Sequence, residues 1–132
     1  MFWILIGTND MGAVHCSGES IAAGNIRIAE ELLQRRPNST IVLNSFLPRG
    51  KIPSSWLDAY EYSEAMRVNQ WLECYAASTP RVKFFNATDI FLGGENQTDL
   101  VPEFYSDGVH PSAAGSAEWA SSIVDFVREL TS

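Results

Sequence analysis

Three short apolar runs, each closed by a turn-forming sequence and followed by a longer stretch of helical period, constrain this chain most. The first, Phe2 to Ile6, has no polar alternation and stops at Gly7-Thr8-Asn9-Asp10. It reads as a strand buried on both faces, as in a parallel sheet covered by helices. The second run spans Thr40 to Phe46 and closes at Leu47-Pro48; the third, Val82 to Phe85, follows Pro80. After a loop holding Gly12 and Gly18, a helix capped by Ser20 is expected to reach Arg36. Ile21, Ile28, Ala29 and Leu32 would form its buried stripe, and Pro37 would end it. Ser54 or Ser55 opens a second helix toward Ser78, with Trp56, Tyr60, Leu72 and Tyr75 facing inward. A long loop from Asn86 to His110 leads to a last helix from near Ser112, with Trp119, Ile123, Val127 and Leu130 on one face.

Strand and helix alternating three times specify an α/β layered domain with parallel strands. Right-handed crossovers gather the strand ends on one edge, and chemistry in such sheets sits beyond the carboxyl ends of the strands. Gly7 to Asp10, Leu47-Pro48-Arg49 and the loop ending at Asp107 to His110 are all expected there.

With 132 residues, 45% hydrophobic and 19% charged, the chain suits one globular domain spanning residues 1–132. Its net charge of −7 argues against nucleic acid and anionic membrane surfaces as partners. The basic runs, Arg35-Arg36 and Arg49-Gly50-Lys51, are too short to track a polyanion. No segment approaches the ~20 apolar residues that span a bilayer. The apolar start is too short, and lacks the basic residues, for a signal peptide. Asn38, Asn86 and Asn96 each begin an Asn-x-Thr sequon. About one would arise by chance in so Ser- and Thr-rich a chain, so three hint at a secretory or lumenal compartment. Cys16 and Cys74 lack metal or redox spacing, and suit two buried thiols or one bridge.

Asp107-Gly108-Val109-His110-Pro111 carries the most chemistry. Three residues of tether bring a carboxylate within reach of an imidazole, fixing its tautomer and freeing the other nitrogen to act as a general base. The same segment also reads as an Asx turn leading into a helix. Asn9, at a strand end after Gly7, offers an amide donor to an oxyanion, with Gly7 allowing close backbone approach. Asn9 and Asp10 equally suit ordinary turn roles. His15 reads as an exposed loop residue, and Ser20 of Gly18-Glu19-Ser20 as a helix cap rather than a nucleophile.

Taken together, Gly7-Thr8-Asn9-Asp10 closing one strand, Leu47-Pro48 closing the next and Asp107-x-x-His110 before a terminal helix resemble the SGNH (GDSL-like) hydrolase family. Leu47-Pro48-Arg49-Gly50 is further similar to its platelet-activating-factor acetylhydrolase type. The resemblance implies a flavodoxin-like, three-layer parallel sheet. It also implies ester hydrolysis through an acyl-serine, without metal or organic cofactor. Asn9 would be the oxyanion-hole amide, His110 the general base and Asp107 its orienting acid, with Gly7 and Asp10 in support.

The family's nucleophile block, Gly-Asp-Ser after its first strand, and its second-block glycine should both precede Gly7, where six residues stand. The chain therefore reads as the C-terminal part of such a domain, lacking the first two strands. It is expected to be inactive alone, and to pair Phe2 to Ile6 with a partner protein or an N-terminal segment. Two other readings remain: a non-catalytic structural or binding subunit that kept the fold, and a small α/β binding module that merely resembles the family.

Overall fold

A computed structural model describes the whole chain, residues 1–132. The chain groups into two compact units, one of Met1–Phe46 with Ser63–Asn86 and one of Leu47–Tyr62 with Ala87–Ser132.

The first unit holds a three-stranded parallel sheet of β1 (Phe2–Ile4), β2 (Ile41–Asn44) and β3 (Val82–Phe85), in that spatial order. Phe2, Trp3 and Ile4 lie opposite Ile41, Val42 and Leu43, and Ile41 to Asn44 opposite Val82 to Phe85. Three helices accompany it: α1 (Thr8–Gly12), α2 (Gly18–Arg35) and α3 (Tyr62–Ser78), the last beginning one residue before this unit. The α/β class and parallel strands are as the apolar runs predict. β2 is wholly buried, as a strand paired on both sides should be.

β1 is the open edge that the truncated fold implies, and only the reading from its composition alone departs from the structure. Its unbroken apolar run predicts burial on both faces, yet Phe2 is 36% exposed and Ile6, just beyond the strand, 44%. The reason is position: β1 pairs only with β2 and lies at the sheet edge.

α2 is also shifted. Its cap is Ser17, whose Oγ accepts from the Ser20 N–H at 3.3 Å, so Ser20 lies in the first turn. Gly18 fits there because a Cβ would stand 2.6 Å from the Glu64 carbonyl oxygen, and its N–H donates to Glu64 Oε2. The buried stripe is Ile21, Ala22, Asn25 and Ala29, while Ile28 is exposed. Two alanines allow close approach, and the Asn25 amide is satisfied by the carbonyls of Ile21 (2.9 Å) and Ile6 (3.3 Å). A polar residue thus occupies the place predicted for an aliphatic one. Cys16 and Cys74 are free thiols, one half-buried and one exposed, and neither predicted arrangement holds.

In the second unit, Ser55 caps a short 3-10 turn (Trp56–Asp58) instead of a long helix, because α3 begins only at Tyr62. Trp56 is buried there against Tyr62, whereas Tyr60 is exposed. The long loop after Asn86 is largely structured. It holds a 3-10 turn (Thr88–Phe91), a hairpin of β4 (Leu92–Gly93) and β5 (Asp99–Leu100), and a second 3-10 turn (Pro102–Phe104). Phe91 centres an aromatic cluster with Phe104, Tyr105 and Trp119. Ser112 caps α4 (Ala113–Thr131), on which the predicted stripe is only half-buried. No helix is long and apolar enough to cross a membrane.

Gly7 links β1 to α1 with φ 104°, and a Cβ there would stand 2.6 Å from Ile21 Cγ2 and 3.1 Å from Phe46 Cζ. Left-handed backbone and overpacking both disfavour any larger residue. Gly7→Ala should cost about 2–4 kcal/mol, seen as a fall of roughly 10 °C in the thermal midpoint. A midpoint within a degree of the parent would contradict this account of the turn.

Candidate active site

Asp107 and His110 lie in the second unit, on the loop between the Pro102–Phe104 turn and α4. Asp107 Oδ1 accepts the backbone N–H groups of Val109 (2.9 Å) and His110 (2.8 Å), and Oδ2 stands 2.7 Å from His110 Nδ1. The Asx turn and the carboxylate–imidazole pair, two readings of one segment, are therefore present at once. One oxygen builds the turn and the other holds the ring. His110 Nε2 takes part in no hydrogen bond within the protein, and the ring is largely exposed.

These donors hold the Asp107 carboxyl at about 2, below its ordinary 3.8. The backbone N–H of His110 contributes most, then its imidazole, then the N–H of Val109. A carboxylate ionised across the whole physiological range can fix the Nδ1–H tautomer and stabilise an imidazolium.

The loop is closed at its base. Both the N–H and the hydroxyl of Ser106 donate to the His110 carbonyl, at 2.9 and 3.0 Å. Gly108 has φ 82°, and its carbonyl accepts the Gly50 N–H at 2.9 Å. A Cβ on Gly108 would stand 2.1 Å from the Gly50 carbonyl oxygen. Leu47-Pro48-Arg49-Gly50 thus lies against this loop. The Tyr105 hydroxyl donates to the buried Pro48 carbonyl, and Arg49 pairs with Glu61 at 3.9 Å, both side chains mostly covered. Tyr105 and Gly50 were not legible as site residues. The signal available was the Leu-Pro-Arg-Gly quartet itself, whose glycine exposes a backbone donor.

Asn9, Gly7 and Asp10 belong to the first unit. The polar turn after β1 is a one-turn helix, in which the Gly7 carbonyl accepts the Met11 N–H and the Asn9 carbonyl that of Ala13. The Asn9 and Asp10 side chains are exposed. His15 is exposed in the following loop, with φ 57°. Ser20 Oγ lies 3.0 Å from Ser17 Oγ, within the helix start.

The sequence profile of the GDSL-like lipase/acylhydrolase family matches residues 1–118. A search of the curated proteins finds no match. Among solved structures, a GDSL-like lipase from Bacteroides thetaiotaomicron superposes with a TM-score of 0.75 at 25% identity, over 97% of this chain and 62% of that one. A Streptococcus pneumonia protein provisionally named a platelet activating factor gives 0.78 at 25%, over 94% and 57%. The esterase domain of the zebrafish ZfL2-1 retrotransposon ORF1 protein gives 0.66 at 22%, over 95% and 66%. The last, at its lower identity, speaks for the fold alone. The chain thus spans under two thirds of the length of these structures.

The Asp107 carboxyl should titrate near pH 2 when followed by carbon NMR. His110→Ala should raise it only part of the way to 3.8, because both backbone donors remain. Since the folded value is depressed, its contribution to stability is present above about pH 4. That contribution fades as pH falls toward 2. A titration at the ordinary carboxylate value in the parent protein would contradict this geometry.

Proposed function

The chain belongs to the GDSL-like lipase/acylhydrolase family, and on that premise we propose that it carries the base and oxyanion machinery of an ester hydrolase. The observation that carries the reading is the 2.7 Å contact between Asp107 Oδ2 and His110 Nδ1, with Nε2 left available. In the proposed reaction His110 Nε2 takes the proton of a serine hydroxyl as its oxygen attacks the ester carbonyl. Asp107 stabilises the imidazolium, and the Asn9 amide donates to the oxyanion. The imidazolium then protonates the leaving alcohol. Water, activated by the same nitrogen, releases the acid from the acyl-serine.

No serine of residues 1–132 stands in a Gly-Asp-Ser block at a strand end. The proposal therefore assigns the nucleophile to a strand outside these residues, pairing with the open edge of β1 and supplied by the same polypeptide or a partner. An edge strand without charge or proline invites such pairing. A non-catalytic subunit built on the same fold is the alternative, and the same missing block favours it.

Residues 1–132 alone should neither hydrolyse p-nitrophenyl acetate nor react with a serine-directed fluorophosphonate probe. A polypeptide that also supplies a Gly-Asp-Ser strand should do both. There, His110→Ala should lower kcat by at least about 1,000-fold, and Asn9→Ala by about 100- to 1,000-fold. Stoichiometric labelling of residues 1–132 alone would overturn the assignment of the nucleophile. Activity in the longer polypeptide that survives His110→Ala would overturn the base. No activity in it at all would leave the non-catalytic reading standing.

The open edge generates a separate expectation. In light scattering after size exclusion, residues 1–132 should self-associate, and Phe2→Lys, which places a charge in that strand where the side chain is already exposed, should disperse them. A monodisperse, cooperatively folding monomer of the parent sequence would count against the pairing.

A further inference from the structure

The geometry points to Tyr105 as a positioning residue for the Asp107–His110 pair, acting through the Leu47–Gly50 segment. This rests on the reading of that pair as the base of the proposed hydrolase. Tyr105 lies two residues before Asp107, and its side chain is 6% exposed. Its hydroxyl donates to the carbonyl of Pro48, itself among the fully buried residues. Two residues along that segment, the Gly50 N–H donates to the Gly108 carbonyl at 2.9 Å, inside the turn whose ends are Asp107 and His110. The segment and the loop are therefore joined at two points, one on each side of Asp107. Burial pushes the Tyr105 phenol well above the ordinary tyrosine range, so it remains a donor at any pH the protein meets.

The pair needs such support because it is exposed. The His110 and Asp107 side chains are 74% and 54% open to solvent, so no surrounding wall fixes the ring. Local bonds shape the turn, and the Gly50 N–H on the Gly108 carbonyl adds to them a bond from outside, at the middle of the turn. The loop's far end is held separately, by the Ser112 N–H on the Phe104 carbonyl at 2.8 Å. What Gly50 governs is therefore the orientation of the Gly108–Val109 peptide, whose N–H donates to Asp107 Oδ1, and Pro48 can hold Gly50 in line only while its own carbonyl is engaged. Gly108 is required at this junction, since a Cβ there would collide with the Gly50 carbonyl, whereas one at Gly50 would only reach contact distance of Ala59 and Leu100. Removing the Tyr105 hydroxyl deletes one oxygen and no packing volume of consequence. It leaves a buried carbonyl unpaired, which the segment relieves by moving away from the loop.

The test is the ring tautomer of His110, read from imidazole nitrogen NMR shifts of residues 1–132 with the ring neutral. Asp107→Asn supplies the reference for a ring that has lost its carboxylate, and circular dichroism reports whether each variant is folded. In Tyr105→Phe the Nδ1–H fraction should fall by about half toward that reference, with the circular dichroism unchanged. Gly108→Ala, which breaks the other junction, should produce the same loss. A Tyr105→Phe ring matching the parent overturns the proposal. So does a Tyr105→Phe protein that unfolds, since the hydroxyl then serves the fold rather than the pair. A parent ring already identical to Asp107→Asn overturns it together with the pair on which it rests. Because the readout is a tautomer and not turnover, it separates from the hydrolysis test. A tautomer shift without ester cleavage in the longer polypeptide upholds Tyr105 as the residue that places His110, and counts only against the hydrolase reading.

Discussion

Burying a strand completely obliges every one of its backbone groups to find a partner inside the protein, and β2 imposes that obligation on the first unit. Ile41 to Asn44 are each at most 1% exposed, and burial continues through Ser45 and Phe46. β1 and β3 take up the ladder on either side. Beyond its end, the Ser45 N–H reaches the Phe85 carbonyl at 2.9 Å and the Phe46 N–H reaches Asn69 Oδ1 at 2.7 Å. Asn44 Oδ1 accepts from the Trp3 indole, and its amide donates to the Ser45 carbonyl. The buried asparagines of this unit are the answer to that demand, since an aliphatic side chain in their place would leave amides or carbonyls unpaired in a medium without water.

A similar economy governs the loop that carries Asp107. A single carboxylate serves three donors, two on the backbone and one on the imidazole. The turn and the carboxylate–imidazole pair cannot be altered separately. Substituting Asp107 removes both the orienting charge and the bonds that shape Gly108 to His110. The depressed titration of this side chain is a consequence of the same arrangement. Its exposure means that the effect comes from direct hydrogen bonds rather than from a low-dielectric surround.

Membership of the family and the α/β fold bear on function unequally. The fold is shared with solved hydrolases at TM-scores of 0.66 to 0.78, yet folds host many activities and chemistry resides in sites. The proposed hydrolase reading therefore rests on the side-chain geometry at Asp107 and His110, with Asn9 entering it only by its place in the Gly-x-Asn-Asp motif. β1 belongs to the same question, because an apolar strand at a sheet edge is a surface for another strand.

Periodicity and turn chemistry alone determined the number, the places along the chain and the parallel sense of the three strands of the first sheet. The third strand was legible to the residue at Val82 and Phe85, because Pro80 and the apolar run bound it locally. The Asp107–His110 contact was legible for a similar reason: a three-residue tether leaves few conformations. Tertiary structure decided whatever depended on a distant neighbour. β1 has the composition of a buried strand, but its burial depends on what lies beside it, which its own residues do not encode. The start of α2 moved to Ser17 because Gly18 must pass the Glu64 carbonyl, 46 residues away. Asn25 replaced Ile28 on the buried face because the carbonyl of Ile6 was there to receive it. The Tyr105 hydroxyl found its partner only because Pro48, 57 residues distant, brought a buried carbonyl to it. Local rules fix conformation through nearest neighbours in sequence, whereas burial and polar satisfaction depend on neighbours in space, which only the folded chain supplies.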